Sequence, residues 1–152
     1  NISQLEYSRG GSNYFAGVAV HNRQFPIDEE GKMASADEAC RHTSCAWWVY
    51  GEQTVWAAAD RSVACMAQYS ENTSRDNGCY RYAELGCAYT DSSNECGLSA
   101  QYARFNQGTE RSVELTWRRQ INKTIALQPS FQYINNDYGD FFVLCARMCI
   151  SF

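Results

Sequence analysis

Hydrophobic and polar residues alternate one by one along much of this chain, most regularly at its C-terminal end. The even positions from 142 read Phe142, Leu144, Ala146, Met148, Ile150 and Phe152, and between them lie Cys145, Arg147, Cys149 and Ser151. Successive side chains of a strand point to opposite faces, so this spacing makes one face wholly apolar and the other small or polar. A helix would bring Phe142, Cys145 and Ala146 together and mix the two classes. The preceding segment behaves likewise. Ile125, Leu127, Phe131 and Tyr133 share one face, interrupted by Pro129, while Ala126, Gln128, Ser130 and Gln132 share the other. The turn-forming run Asn135-Asn136-Asp137-Tyr138-Gly139 joins the two as an antiparallel hairpin.

The same period recurs upstream. Val113, Leu115 and Trp117 alternate with Glu114, Thr116 and Arg118, and a short turn around Ile121-Asn122-Lys123 follows. Leu98, Ala100 and Tyr102 alternate with Ser99, Gln101 and Ala103 up to a loop at Asn106-Gln107-Gly108. Residues 79–90 set Ala83, Leu85, Cys87 and Tyr89 against Tyr82, Glu84, Gly86 and Ala88. Further strands fit Ala46–Ala58 and Ser62–Ser70, whose faces the pattern leaves open, and residues 3–8 and 13–21 form a first pair. The expectation is an all-β, antiparallel up-and-down chain of about nine strands in a single domain, with short and long connections alternating. The longest connection falls at roughly 23–44.

Alternation alone fits both a membrane β-barrel and a soluble β-sandwich, since each has one apolar face per strand. The polar face tilts the choice. Its residues include Gln101, Glu114, Arg118, Gln128, Gln132 and Arg147, hydrogen-bonding groups of medium length suited to confined water and solute. A mean hydropathy of −0.49 is compatible with a barrel, whose lipid-facing residues are only every second one. No apolar run approaches the roughly 18 residues of a membrane helix. Ten tyrosines and four tryptophans are amphipathic residues of the kind that barrels gather at the two membrane interfaces.

Charge and cysteine content narrow the function. A net charge of −4, with only two lysines and no basic cluster beyond Arg118-Arg119, speaks against nucleic acid as a partner. Eight cysteines suggest an oxidising compartment. No C-x-x-C pair occurs, and His21 and His42 lack zinc-ligand spacing, so neither a metal nor another cofactor is expected. No nucleophile–base motif is visible, and no catalytic residue is assigned; Glu52, Glu84, Glu110 and Glu114 remain carboxylates at unknown separations. Cys87 and Cys96 flank a turn almost symmetrically and could bridge; Cys40 and Cys45 could close a small loop. Cys145 and Cys149, about 13 Å apart along one strand, would each need a partner on a neighbouring strand.

Several segments bear on a known family. Ile125-Ala-Leu-Gln-Pro-Ser-Phe-Gln-Tyr-Ile134 resembles the LQP-x-x-QYI segment near the end of OprB-type carbohydrate-selective porins. Tyr50-Gly-Glu-Gln-Thr-Val-Trp56, with Met66-Ala-Gln-Tyr69 after it, resembles their EQ-x-x-W…F-A-Q-Y hairpin. Ser112-Val-Glu-Leu-Thr-Trp117 sits where the family has a glutamate-containing strand. The resemblance spans roughly 45–152 and, more weakly, 1–25.

It implies a transmembrane β-barrel in the bacterial outer membrane, a passive channel for small solutes such as saccharides, and lipid around it. Barrels of that family have about sixteen strands, so the nine or so of residues 1–152 would be a C-terminal segment of a larger barrel, one half of a split barrel, or a small closed barrel of their own. Glu84, Gln101, Glu114, Arg118, Gln128, Gln132 and Arg147 would line the pore, with Tyr50, Trp56 or Tyr82 stacking on sugar rings. The terminal Phe152, behind Met148 and Ile150, would be read by the barrel-assembly machinery. Eight cysteines depart from a family that is generally cysteine-poor. The competing reading is a secreted, disulfide-stabilised β-sandwich binding module, for which the sequons at Asn1, Asn72 and Asn122 would serve as glycosylation sites.

Overall fold

The computed structural model describes residues 1–25, 40–73 and 78–150. They form nine strands: β1 (Ile2–Arg9), β2 (Ser12–Phe25), β3 (Cys40–Ala58), β4 (Arg61–Asn72), β5 (Cys79–Thr90), β6 (Asn94–Phe105), β7 (Gly108–Gln120), β8 (Ile125–Asn136) and β9 (Gly139–Ile150). Every strand pairs antiparallel with its neighbours in sequence, so the sheet order is the chain order. This is an up-and-down meander, and the long alternating runs account for it: each run is followed by residues that can turn, and each strand folds back on the last.

The turns at one end of the sheet are all short. Gly10 and Gly11 take φ of 58° and 80°, the left-handed pair that a two-residue hairpin turn with matching strand twist requires. Ala59-Asp60, residues 91–93 and residues 121–124 make the other turns at that end. At the opposite end two connections are equally tight, Asn106-Gln107 and Asp137-Tyr138. The expected alternation of short and long connections therefore breaks down after β5, where every connection is short. The expected longest connection, around 23–44, gives up its two ends to β2 and β3, and residues 26–39 lie outside the described part.

Among the described residues the sheet packs on no second layer. Ala126, 2% exposed, is the one buried hydrophobic residue among those described, and Ser44 and Ser112 are the buried polar ones. Meanwhile Leu85, Phe142 and Leu144 are 66%, 69% and 80% exposed. A β-sandwich buries these positions between two sheets about 10 Å apart. Here they stand in adjacent rows on one face of a single sheet, which corrects the sandwich alternative. β1 pairs only with β2 and β9 only with β8, so the sheet is not closed.

Two bulges interrupt the register. One lies between Thr54 and Trp56, the other between Cys79 and Arg81. Each leaves an extra residue, Val55 or Tyr80, and shifts the parity of what lies beyond it.

Candidate functional site

Directly paired residues in an antiparallel sheet lie on the same face, so the register sorts the side chains into two sets. The polar face is built from rows that cross all nine strands. One row runs Glu6, Phe15, Tyr50, Gln68, Glu84, Gln101, Ser112, Ile134, Phe141. The row beside it runs Ser8, Asn13, Glu52, Met66, Gly86, Ser99, Glu114, Gln132, Val143. Nearer the short-turn end, Glu95 pairs with Arg118 and Gln128 with Arg147. All seven residues singled out from the sequence, Glu84, Gln101, Glu114, Arg118, Gln128, Gln132 and Arg147, thus fall on one face.

Their polar atoms are partly joined into chains. Tyr82 donates its hydroxyl to Glu84 Oε2 at 2.7 Å, and Gln101 Nε2 donates to Glu84 Oε1 at 3.4 Å. Ser112 donates in turn to Gln101 Oε1 at 3.2 Å. Tyr50 donates to Glu52 Oε2 at 2.6 Å. On β1 and β3, Trp48 Nε1 donates to Gln4 Oε1 at 3.1 Å and Gln4 Nε2 to Glu6 Oε1 at 2.7 Å. Arg118 and Glu95 form an ion pair at 3.6 Å, both side chains about half exposed. Such a surface offers carboxylates, amides, hydroxyls and guanidinium groups side by side, with Phe15 and Tyr50 in ring contact at 5.4 Å among them.

The opposite face is apolar through its middle and polar at both ends. One row there runs Leu85, Ala100, Val113, Tyr133, Phe142, and the next Cys87, Leu98, Leu115, Phe131, Leu144. Tyr and Trp side chains border the apolar rows. Trp47 and Tyr69 are in tilted ring contact with centroids 5.2 Å apart, and Tyr133 donates to Asp140 at 2.8 Å. Towards the short-turn end, Trp117 Nε1 donates to Asn94 Oδ1 at 3.3 Å. Charged residues stand outside these rings: Glu71 and Arg81, bridged at 2.9 Å, with Arg104 and Arg111 at one end, and Arg9, Arg61 and Arg119 at the other. On β7 the eight residue steps from Arg111 to Arg119 span about 27 Å, which a strand tilt of about 40° projects to about 20 Å, near the height of a barrel's apolar band.

Three expectations change. Trp56 does not join Tyr50 and Tyr82 on the polar face. The bulge at Val55 turns Trp56 towards Val63 and the apolar face. Cys40 and Cys45 lie five residues apart on β3, about 17 Å along an extended strand, too far for a bridge that needs Cα atoms within about 7 Å. Cys87 faces Cys65 and Leu98, and Cys96 faces Tyr89 and Trp117; Cys45, Cys87 and Cys96 are all free thiols. Cys145 and Cys149 face Ser130 and Ala126, without the neighbouring-strand cysteine they would need. Phe152 lies outside the described residues.

Glu6, Glu95, Gln4, Trp48, Gln68 and Ser112 belong to the polar face without having been singled out. Glu95 was findable, since it shares the parity of Gln101 on β6. Trp48 and Gln68 were hidden because the consecutive Trp47-Trp48 pair and the bulge obscure the phase of β3 and β4. No carboxylate on this face stands directly opposite another. Among the described residues no His/Cys/Asp/Glu group is arranged to hold a metal ion.

Residues 7–152 match the family model described as "Carbohydrate-selective porin, OprB family". No curated protein and no solved structure matches the chain.

Proposed function

The chain belongs to the OprB family of carbohydrate-selective porins, and from that premise we propose that its polar face lines a water-filled passage through which small saccharides diffuse. The family is one of outer-membrane transport channels, not of enzymes. The observation that carries the proposal is the division of the sheet by register. Glu84, Gln101, Glu114, Arg118, Gln128, Gln132 and Arg147 share one face, while Leu85, Leu115, Phe142 and Leu144 share the other.

Sugar hydroxyls both donate and accept. Carboxylates and amide oxygens such as those of Glu84 and Gln101 accept from them, and Arg118 and Arg147 donate to them. A solute that exchanges one such partner for the next loses little on entering and little on leaving, as diffusion through a pore requires. Phe15, Tyr50, Trp48 and Tyr82 would offer ring faces along the same wall. The apolar face meets lipid, and its tyrosines, tryptophans and arginines sit at the headgroup levels.

In a bilayer an unpaired strand edge leaves backbone groups without partners at several kcal/mol each. The free edges of β1 and β9 are therefore paired with further strands, and this chain forms one segment of a larger barrel wall.

The test is swelling of liposomes carrying the protein in isotonic sugar solutions. Swelling whose rate falls as the sugar lengthens, together with ion conductance that sugar reduces saturably, is the expected result. Conductance indifferent to sugar, or no swelling, would overturn the reading.

A further inference from the structure

Cys65 lies in the middle of β4 and Cys87 in the middle of β5, and the register sets them directly opposite each other on the apolar face. Among the cysteines with described side chains, no other faces a cysteine. Cys45 is opposite Val20, Cys79 opposite Phe105, Cys96 opposite Tyr89 and Trp117, Cys145 opposite Ser130, and Cys149 opposite Ala126.

The phase of the backbone ladder fixes how close the pair stands. Asp91 N–H donates to Asn94 C=O at 2.8 Å, which marks that pair as hydrogen-bonded. Hydrogen-bonded and non-hydrogen-bonded pairs alternate along an antiparallel ladder. Cys87, four residues before Asp91, is therefore in phase with it and directs its backbone bonds to Leu98 on β6. Towards β4 it is bond-free, so Cys65 and Cys87 form the closer kind of pair, with Cα atoms about 4.5 Å apart. A disulfide asks for a Cα separation of about 4.4–6.8 Å.

We propose that Cys65 and Cys87 are a thiol–disulfide exchange site, converted by a disulfide donor into a cross-strand bridge that pins β4 to β5. One thiolate attacks a donor disulfide, forming a mixed disulfide and releasing one donor thiolate. The second cysteine thiolate then attacks the protein sulfur of that intermediate and releases the second donor thiolate. The two protein thiols lose two electrons and two protons, and the donor disulfide becomes two thiols. The donor is a small or protein disulfide of the oxidising compartment that an outer-membrane chain crosses. Exchange takes place before the strands enter lipid, because the apolar face stands in hydrocarbon afterwards and a thiolate does not form there. The bridge then holds the β4–β5 register, in which a slip of one residue would turn Glu84 and Gln68 into the lipid.

The full chain is diluted from guanidinium into detergent micelles with oxidised glutathione already present, so that the oxidant meets the sheet as it forms, and is then quenched in acid, alkylated with N-ethylmaleimide and digested for mass spectrometry. The expected product joins the Cys65 and Cys87 peptides, two hydrogens lighter than their sum and free of glutathione and maleimide. Cys65→Ser is expected to leave Cys87 carrying glutathione. Both cysteines alkylated or both glutathionylated in the folded wild-type chain would overturn the proposal, and so would Cys87 joined to Cys96. The same treatment in guanidinium is expected to scatter the pairings; an equal yield of the Cys65–Cys87 bridge there would also overturn it. None of these readouts depends on channel activity.

Discussion

Gly17 meets the indole of Trp48 so closely that a Cβ at this position would overlap the ring. The glycine on β2 is the floor on which Trp48 lies, and the indole is held there by its bond to Gln4 at 3.1 Å. Gly17→Val should lift the ring off the wall, with an overpacking cost of about 1–3 kcal/mol. A red-shifted emission from a protein retaining only Trp48, with a lower denaturant midpoint, is the expected result. Glu84 accepts from both Tyr82 and Gln101, so Glu84→Ala leaves two donors without their acceptor and costs about 1–3 kcal/mol. In reconstituted channels the same substitution should lower the preference for cations over anions, read from reversal potentials in a salt gradient. Period-two alternation makes Glu84 visible in the sequence. It does not reveal Gln4 or Trp48, because nothing within one strand says which residue of another lies opposite.

Among the elements, the β5–β6 hairpin shows how a turn fixes a register. The Asp91 carboxylate accepts the N–H of Ser93 at 2.9 Å and of Asn94 at 2.8 Å, and the Asn94 side chain at 3.1 Å. The backbone bonds from Ser93 and Asn94 hold its pKa below the usual value of 3.8. A lowered folded-state pKa means stabilisation present above the unfolded value and lost as pH falls through the folded one. The difference in denaturant midpoint between wild type and Asp91→Asn should therefore be largest near neutral pH and close below pH 3.8; a constant difference would contradict it. The strands from β5 to β9 were legible with their faces, since Leu85, Leu98, Leu115, Phe131 and Leu144 follow one period without interruption. β3 was not. Val55 is an inserted residue, and a single insertion inverts the face of everything beyond it, which is why Trp56 was expected beside Tyr50 and stands instead beside Val63.

At the scale of the molecule, one sheet carries exposed leucines on one side and a hydrogen-bonded polar wall on the other. Water on both sides cannot satisfy that arrangement; lipid on one side and water on the other does. The architecture was readable from alternation, aromatic content and the absence of long apolar runs. Closure was not, because alternation within a strand does not say what pairs with the free edges of β1 and β9. The claim that the two faces see different solvents is tested by single-tryptophan proteins keeping Trp48 or Trp117, the other tryptophans replaced by phenylalanine, in vesicles containing brominated lipid. Trp117 emission should be quenched by the brominated chains and protected from aqueous iodide, and Trp48 should show the reverse. Quenching of Trp48 by brominated lipid, with Trp117 open to iodide, would contradict the assignment of the polar face to the passage.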